Sequence, residues 1–278
     1  MKQHLLGVNI GAGYDLPEVE LIKTVSAVGF DACFLNWRPT LSIDACAEQI
    51  ARSGMILQSV HGPFGKVETV WEEGDEGETF VNVMCDCLRD CARVGAPVMI
   101  VHPIKGMDRH TPTELGLSRF ARLIEEAEKT SVKLAFENVE GIEYLDAIMN
   151  RFGNCPSVGF CWDTGHEMCY NFSEDVMAKY GDRLIATHFN DNVGMADPNV
   201  VTWYDDLHLL PFDGNADWQG IMDRIARHGY EGILTFELTI KNKPEKHYHD
   251  AYAAWSAEEF YAKAYERAKR VADLASSR

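Results

Sequence analysis

Acidic and imidazole side chains stand at the ends of six successive apolar runs in this chain. His61 ends Ser59-Val60-His61, His102 ends Ile100-Val101-His102, and Glu137 ends Phe136-Glu137. Asp163 ends Trp162-Asp163, His188 ends Thr187-His188, and Glu237 ends Phe236-Glu237. His166 follows Asp163 by three residues, and Asp206 and His208 lie in the long segment between the last two runs. One histidine after an apolar run is usually a hydrogen-bonded structural residue. A lone glutamate in such a run needs a partner, because burying an unpaired carboxylate is costly. Six such residues at one relative place ask for a shared cause. Three carboxylates and an imidazole suit a divalent cation with open positions, Mn²⁺ foremost, with Mg²⁺, Co²⁺ or Zn²⁺ also compatible. Such a cation chelates a hydroxy-ketone and polarises its carbonyl. Carboxylates on either side of that substrate can remove and return a proton on carbon.

Those residues must be brought to one place, and the pattern of elements predicts how. The strand candidates are Leu5–Ile10, Ala32–Trp37, Leu57–His61, Val98–His102, Lys133–Asn138, Val158–Asp163, Leu184–Asn190 and Ile233–Leu238. Each is nearly continuous in apolar residues, as strands buried on both faces of a parallel sheet are. Helix signals lie between them: Glu18–Val28, a helix capped by Ser42 or Asp44 that runs to Arg52, Glu78–Val94, Thr113–Lys129, Ile142–Arg151, Glu174–Tyr180 capped by Ser173, Trp218–His228 and Ala257–Ala275. Glycine follows most of them, as expected of helix exits. Eight strand–helix pairs predict an α/β fold, a (β/α)8 barrel formed as a single domain over 1–278, with a C-terminal helix over about 256–276 packed on it. An open doubly wound sheet is the competitor, but Ile10-Gly11-Ala12-Gly13 lacks the third glycine of a phosphate loop and reads as a turn. In a barrel, catalytic groups come from the C-terminal ends of the strands, where the six residues stand.

Composition narrows the partners. A net charge of −17 over 278 residues repels phosphate backbones and anionic membranes, so neither nucleic acid nor membrane is an expected partner. The first residues show no signal-peptide pattern, no apolar stretch is long enough to span a bilayer, and the eight cysteines form no C-x-x-C. A cytoplasmic protein with free thiols is expected, and Cys85, Cys87 and Cys91 are not expected to share one helix face. The acidic stretch Glu72–Glu78 reads as a solvated loop running into a helix, with a lid as the alternative. Lys241–His249 reads as an insertion after the last strand, a surface or oligomer-contact loop rather than a second metal site. Lys105 and Arg109 follow the fourth strand and read as solvated loop residues, with contact to a substrate phosphate as the alternative.

Four segments carry a resemblance to the xylose-isomerase-like TIM-barrel superfamily: Phe136-Glu137-Asn138, Trp162–His166, His188–Asp191 and Asp206–Trp218. It spans the chain from Val8 to about Leu238, and is specific for the superfamily rather than for a substrate. The superfamily contains sugar isomerases, ketose 3-epimerases, inositol-catabolism enzymes and endonuclease IV. The epimerase branch implies a metal held by Glu137, Asp163, His188 and Glu237, with Glu137 and Glu237 as the acid/base pair. It implies substrate binding by His166 and Glu143. The remaining substrate-binding candidates are His61, His102, Asp206, His208 and Trp37, the last either stacking on a sugar face or serving the core. The branch's arginine, six residues after the metal histidine, is replaced by Gly194. The resemblance therefore implies a metal-dependent isomerase or epimerase of a small sugar, keto-polyol or related hydroxy-carbonyl compound, working through an enediolate as a homodimer or homotetramer. The alternatives are a dehydratase of the inositol-catabolism type, a phosphodiesterase of the endonuclease IV kind and a non-catalytic sugar-binding barrel. The endonuclease branch uses three zinc ions and nine ligands, matched here by His61, His102, Glu137, Asp163, His166, His188, Asp206, His208 and Glu237.

Overall fold

Residues 4–107 and 111–274 are described by the computed structural model. Arg109 and the last residues of the predicted C-terminal helix lie outside them. The strands are β1 (Leu6–Asn9), β2 (Ala32–Asn36), β3 (Ile56–His61), β4 (Val98–Val101), β5 (Lys133–Glu137), β6 (Val158–Asp163), β7 (Leu184–His188) and β8 (Leu234–Phe236). All pair in parallel, in the order β7-β6-β5-β4-β3-β2-β1-β8. The last gap is closed by single contacts rather than a ladder. Phe189 bridges to Phe236. Its N–H donates to the Thr235 carbonyl at 2.8 Å, and the Glu237 N–H donates to the Phe189 carbonyl at 3.1 Å. The Thr187 hydroxyl accepts from the Thr235 N–H at 2.9 Å. Eight parallel strands therefore form a nearly closed barrel, the (β/α)8 architecture that the alternation of elements predicts.

The outer layer is α1 (Glu18–Val28), α2 (Ile43–Arg52), α3 (Asp75–Val94), α4 (Glu114–Thr130), α5 (Ile142–Phe152), α6 (Thr164–Cys169), α7 (Val176–Tyr180), α8 (Trp218–Arg227) and α9 (Ala257–Leu274). Most expected boundaries hold to within a residue or two, and three differ for identifiable reasons. First, α3 begins at Asp75, not Glu78. Gly77, read as loop, is required inside the helix because a Cβ there would lie 2.2 Å from the Thr69 carbonyl oxygen. Second, α7 is capped by Asp175 rather than Ser173; the Asp175 carboxylate accepts from the Ala178 N–H at 3.1 Å. Third, α6 follows β6 without a loop, and has no apolar periodicity to announce it.

The acidic stretch is exposed over Glu72–Glu76 and runs straight into α3, the solvated loop entering a helix that the sequence predicts, and its backbone is tied down. Buried Arg119 of α4 donates to the carbonyls of Thr69, Val70, Glu72 and Gly74 at 2.6–3.2 Å and clamps it to the barrel. Asp75, Glu76 and Glu78 then fall in the first turn of α3, where carboxylates favour the helix dipole. No disulfide forms among the described cysteines. Cys85 faces Glu126 of α4, while Cys87 and Cys91 face each other, so the three are buried on two sides of one helix.

Side chains alternate across a strand, so residues two apart share a face. Ile100, Ala135, Cys161 and Ala186 pack together as a small cluster separate from the main core. Two residues further along, the same parity gives His102, Glu137, Asp163 and His188. Small side chains fill the barrel interior below, and the polar residues sit directly above them at its C-terminal mouth.

Candidate metal centre

Glu137, Asp163, His188 and Glu237 converge, with one ligand atom of each lying within 4.8 Å of the others. The first three are buried completely. His188 Nδ1 lies 3.0 Å from Glu137 Oε1 and 3.1 Å from Glu237 Oε2. One imidazole nitrogen thus points between two carboxylates. Glu137 Oε2 is fully buried, lies 3.2 Å from His102 Nε2 and 3.5 Å from His61 Nε2, and makes no hydrogen bond of good geometry. The donor set is that of a hard or borderline divalent cation, and three carboxylates in one buried cavity need positive charge to balance them. The residues present therefore fit such an ion.

The electrostatics agree. Burial pushes the Glu137 and Glu237 carboxyls up, but His188 beside them outweighs it; Glu137 is held well below the usual range and Glu237 at about 2. Burial lowers His188, but the same two carboxylates raise it well above an ordinary imidazole. Burial raises Asp163 to about 6. The charge balance of the cluster therefore favours positive charge among these carboxylates, as a cation site does.

Neighbouring side chains orient these groups. Asn190 Nδ2 donates to both oxygens of Asp163 at 3.0 and 3.1 Å. The Asp163 carboxylate also caps α6 by accepting from the His166 N–H at 2.7 Å. Asn138 clasps the Asp163 backbone in both directions at 2.8 Å, and Asn171 in turn holds Asn138. Asn9 does the same for β8, exchanging 2.9 and 3.0 Å bonds with the Leu238 backbone next to Glu237. Sequence reading assigned none of these asparagines a role. Asn138 and Asn190 stood in the motifs, one residue after Glu137 and two after His188, and an amide beside a buried acid was the available signal.

A second layer flanks the cluster. His61 Nδ1 donates to the Gly62 carbonyl, which leaves Nε2 free to face His102 Nε2 at 3.2 Å. His166 Nδ1 donates to the Asn138 carbonyl, and its Nε2 faces Asp206 Oδ1 at 3.5 Å. His208, at φ 52°, donates from Nδ1 to the Glu237 carbonyl and turns Nε2 to Asp206 Oδ1 at 2.9 Å. Burial lowers His208, but the Asp206 carboxylate outweighs this and lifts it to about 9. A cavity of about 330 Å³ opens beside this layer, lined in part by Asn9, Asn36, Asp206, His208 and Glu237.

Two candidates lie elsewhere. The Trp37 indole donates to Asp90 of α3 at 2.8 Å, so it is held in the helical layer, and Asn36 before it faces the cavity instead. Glu143 stands half-buried in the first turn of α5, outside the converging groups. Asp191 is buried beside the site yet serves structure. Its oxygens accept from the N–H groups of Asn192, Phe212 and Ala216 and from the Trp218 indole, which folds the Leu209–Trp218 run around one carboxylate.

A family model described as xylose isomerase-like TIM barrel matches residues 22–258. The uncharacterized protein y4fM of Sinorhizobium fredii is 37% identical over 154 residues, 53% of this chain. The chain spans about half of that relative, 45% of its length. Among solved structures, IolI protein with a bound zinc atom superposes with a TM-score of 0.79 at 16% identity, over 99% of this chain and 100% of that one. A D-tagatose 3-epimerase-like protein superposes with a TM-score of 0.74 at 19% identity, over 98% of each chain. At such identities the likeness is one of fold.

Proposed function

The chain belongs to the xylose isomerase-like TIM-barrel family, and from that premise we propose that it is a divalent-metal-dependent isomerase or epimerase of a small sugar, keto-polyol or related hydroxy-carbonyl compound. The observation that carries this reading is the convergence of Glu137, Asp163, His188 and Glu237 within 4.8 Å at the barrel mouth. These four residues would hold the ion, Mn²⁺ foremost, which supplies a Lewis acid for the substrate carbonyl. A solved neighbour of the same fold is described with a bound zinc atom, which supports a metal in this fold.

The protein's own groups then divide the work. One of the two glutamates takes the proton from the carbon beside the carbonyl. The C–H electron pair becomes the C=C bond of an enediolate, and the carbonyl pair moves onto oxygen. The other glutamate, entering the step as the carboxylic acid, returns a proton to the opposite face for an epimerase, or to the neighbouring carbon for an isomerase while the hydroxyl proton on that carbon passes to the former carbonyl oxygen. His188 would turn Nδ1 to the ion from its place between the two carboxylates. His208 and Asp206 border the cavity and would present a donor and an acceptor to substrate hydroxyls, with His166 behind Asp206, while His61 and His102 face Glu137. Soluble small sugars are the expected ligands, and no helix among the described residues is long and apolar enough to cross a membrane.

A phosphodiesterase is the second reading, and one observation favours it. Further triads, His61-His102-Glu137 and Asp163-His166-His208, adjoin the first cluster closely enough to hold ions of their own. The net charge of −17 counts against a duplex substrate.

The test is an assay of ketose interconversion with protein stripped by chelator and restored with Mn²⁺, Mg²⁺, Co²⁺ or Zn²⁺. Activity that returns with the ion supports the isomerase or epimerase. Inactivity on sugars with cleavage of an abasic-site oligonucleotide would move the assignment to the second reading.

A further inference from the structure

The insertion after β8 builds part of the cavity. Its first residues are stitched to the barrel: the Thr239 N–H donates to the His208 carbonyl at 3.2 Å and the Ile240 N–H to the Ala12 carbonyl at 2.9 Å. Lys243 follows and lines the cavity, where no other lysine or arginine among the described residues does. Its ammonium donates to Asp206 Oδ2 at 3.2 Å and sits 5.3 Å from the centre of the Trp203 ring. Lys246, three residues on, pairs with Asp205 at 3.0 Å and lies outside the lining.

Neutralising Asp206 does not account for Lys243. Two imidazole nitrogens, His208 Nε2 at 2.9 Å and His166 Nε2 at 3.5 Å, already face the other oxygen of that carboxylate. The turn Gly11-Ala12-Gly13 forms another part of the wall, with φ angles of 124°, 47° and 97°. The N–H groups of Ala12 and Gly13 donate to no described residue. Lys243 thus brings an ammonium to the wall of a cavity that Asp206 and Glu237 also line, in a protein whose net charge repels anions at long range.

We propose that the substrate carries an anionic group, a carboxylate or a phosphate, remote from its hydroxy-carbonyl end, and that Lys243 binds that group. The inference rests on the reading of the metal cluster given above for the other end of the ligand. Asp206 then holds Lys243 in place until the anion arrives.

The test uses the full chain loaded with Mn²⁺ and three ligands that differ only at the far carbon: D-fructose, D-fructuronate and D-fructose 6-phosphate. Affinity is read by calorimetry, and proton exchange at the carbon beside the carbonyl is read separately by NMR. One charge-assisted contact predicts about tenfold tighter binding of an anionic ligand than of fructose. Lys243→Met should abolish that preference, while Lys243→Arg and the control Lys246→Met should keep it. Whichever anion shows the preference identifies the group as carboxylate or phosphate. Equal affinities, no binding of either anion, or a preference that survives in Lys243→Met overturns the inference. A Lys243-dependent preference without proton exchange on any ligand would instead retain the anion site and sink the isomerase reading.

Discussion

In the proposed mechanism Glu137 and Glu237 each have two tasks, to hold a cation and to move a proton. Glu137→Gln and Glu237→Gln remove the charge and the basicity while nearly keeping the shape. Each should lower turnover by roughly 10²- to 10⁴-fold, the usual contribution of a positioned acid or base. A sugar-binding barrel without catalysis would keep its ligand affinity in Glu237→Gln and have no turnover to lose, so paired binding and rate measurements separate the two. Asn190 acts one step further out. With both Asp163 oxygens bonded to its amide, Asn190→Ala should weaken metal affinity roughly ten- to a hundredfold, as loss of a ligand's orienting partner does. Metal titration monitored by calorimetry reads it, and unchanged affinity would show that Asp163 needs no such support. The convergence of these side chains was legible in sequence because ligand types at strand ends are rare against apolar strands. Trp37 was not, since an aromatic after a strand points either inward or outward, and only the bond to Asp90 decides it. Lys243 was not, because a lysine in an insertion looks the same whether it is solvated or faces a cavity.

At the scale of elements, the fold was readable wherever apolar strands and helix punctuation agreed. It was not readable where a tertiary contact overrode local signals. Gly77 inside α3 and the clamp on residues 69–74 both depend on Arg119, forty or more residues away. Arg119→Met would strand four carbonyl oxygens and is expected to destabilise the protein by about 3 kcal/mol, measured by urea unfolding. A surface-loop account of the acidic stretch predicts almost no change. The β8 insertion gives a pH test. His249 is buried there, with Nε2 donating to the Leu207 carbonyl at 2.8 Å. Burial holds its pKa at about 4, against about 6.5 when unfolded. Below about 6.5 the unfolded chain binds the extra proton, so stability present above that pH is lost as pH falls towards 4. His249→Gln can still donate to Leu207 and should flatten that part of the stability–pH curve relative to the wild type. Parallel curves would show that His249 is not held neutral.

At the scale of the whole molecule, the barrel carries three carboxylates at its mouth, and a cation that binds only the folded state must stabilise it. An ion at a hundred times its dissociation constant is expected to add about 2.7 kcal/mol, so chelator should lower the melting temperature and Mn²⁺ restore it. The most direct measurement of the central claim is hydrogen exchange on carbon. Stripped protein restored with Mn²⁺ is incubated in D₂O with a panel of ketoses and keto-polyols, and deuterium beside the carbonyl is read by NMR. Metal-dependent uptake on at least one member, absent in Glu137→Gln and Glu237→Gln, is the predicted result. Bound metal with no uptake on any member would contradict it.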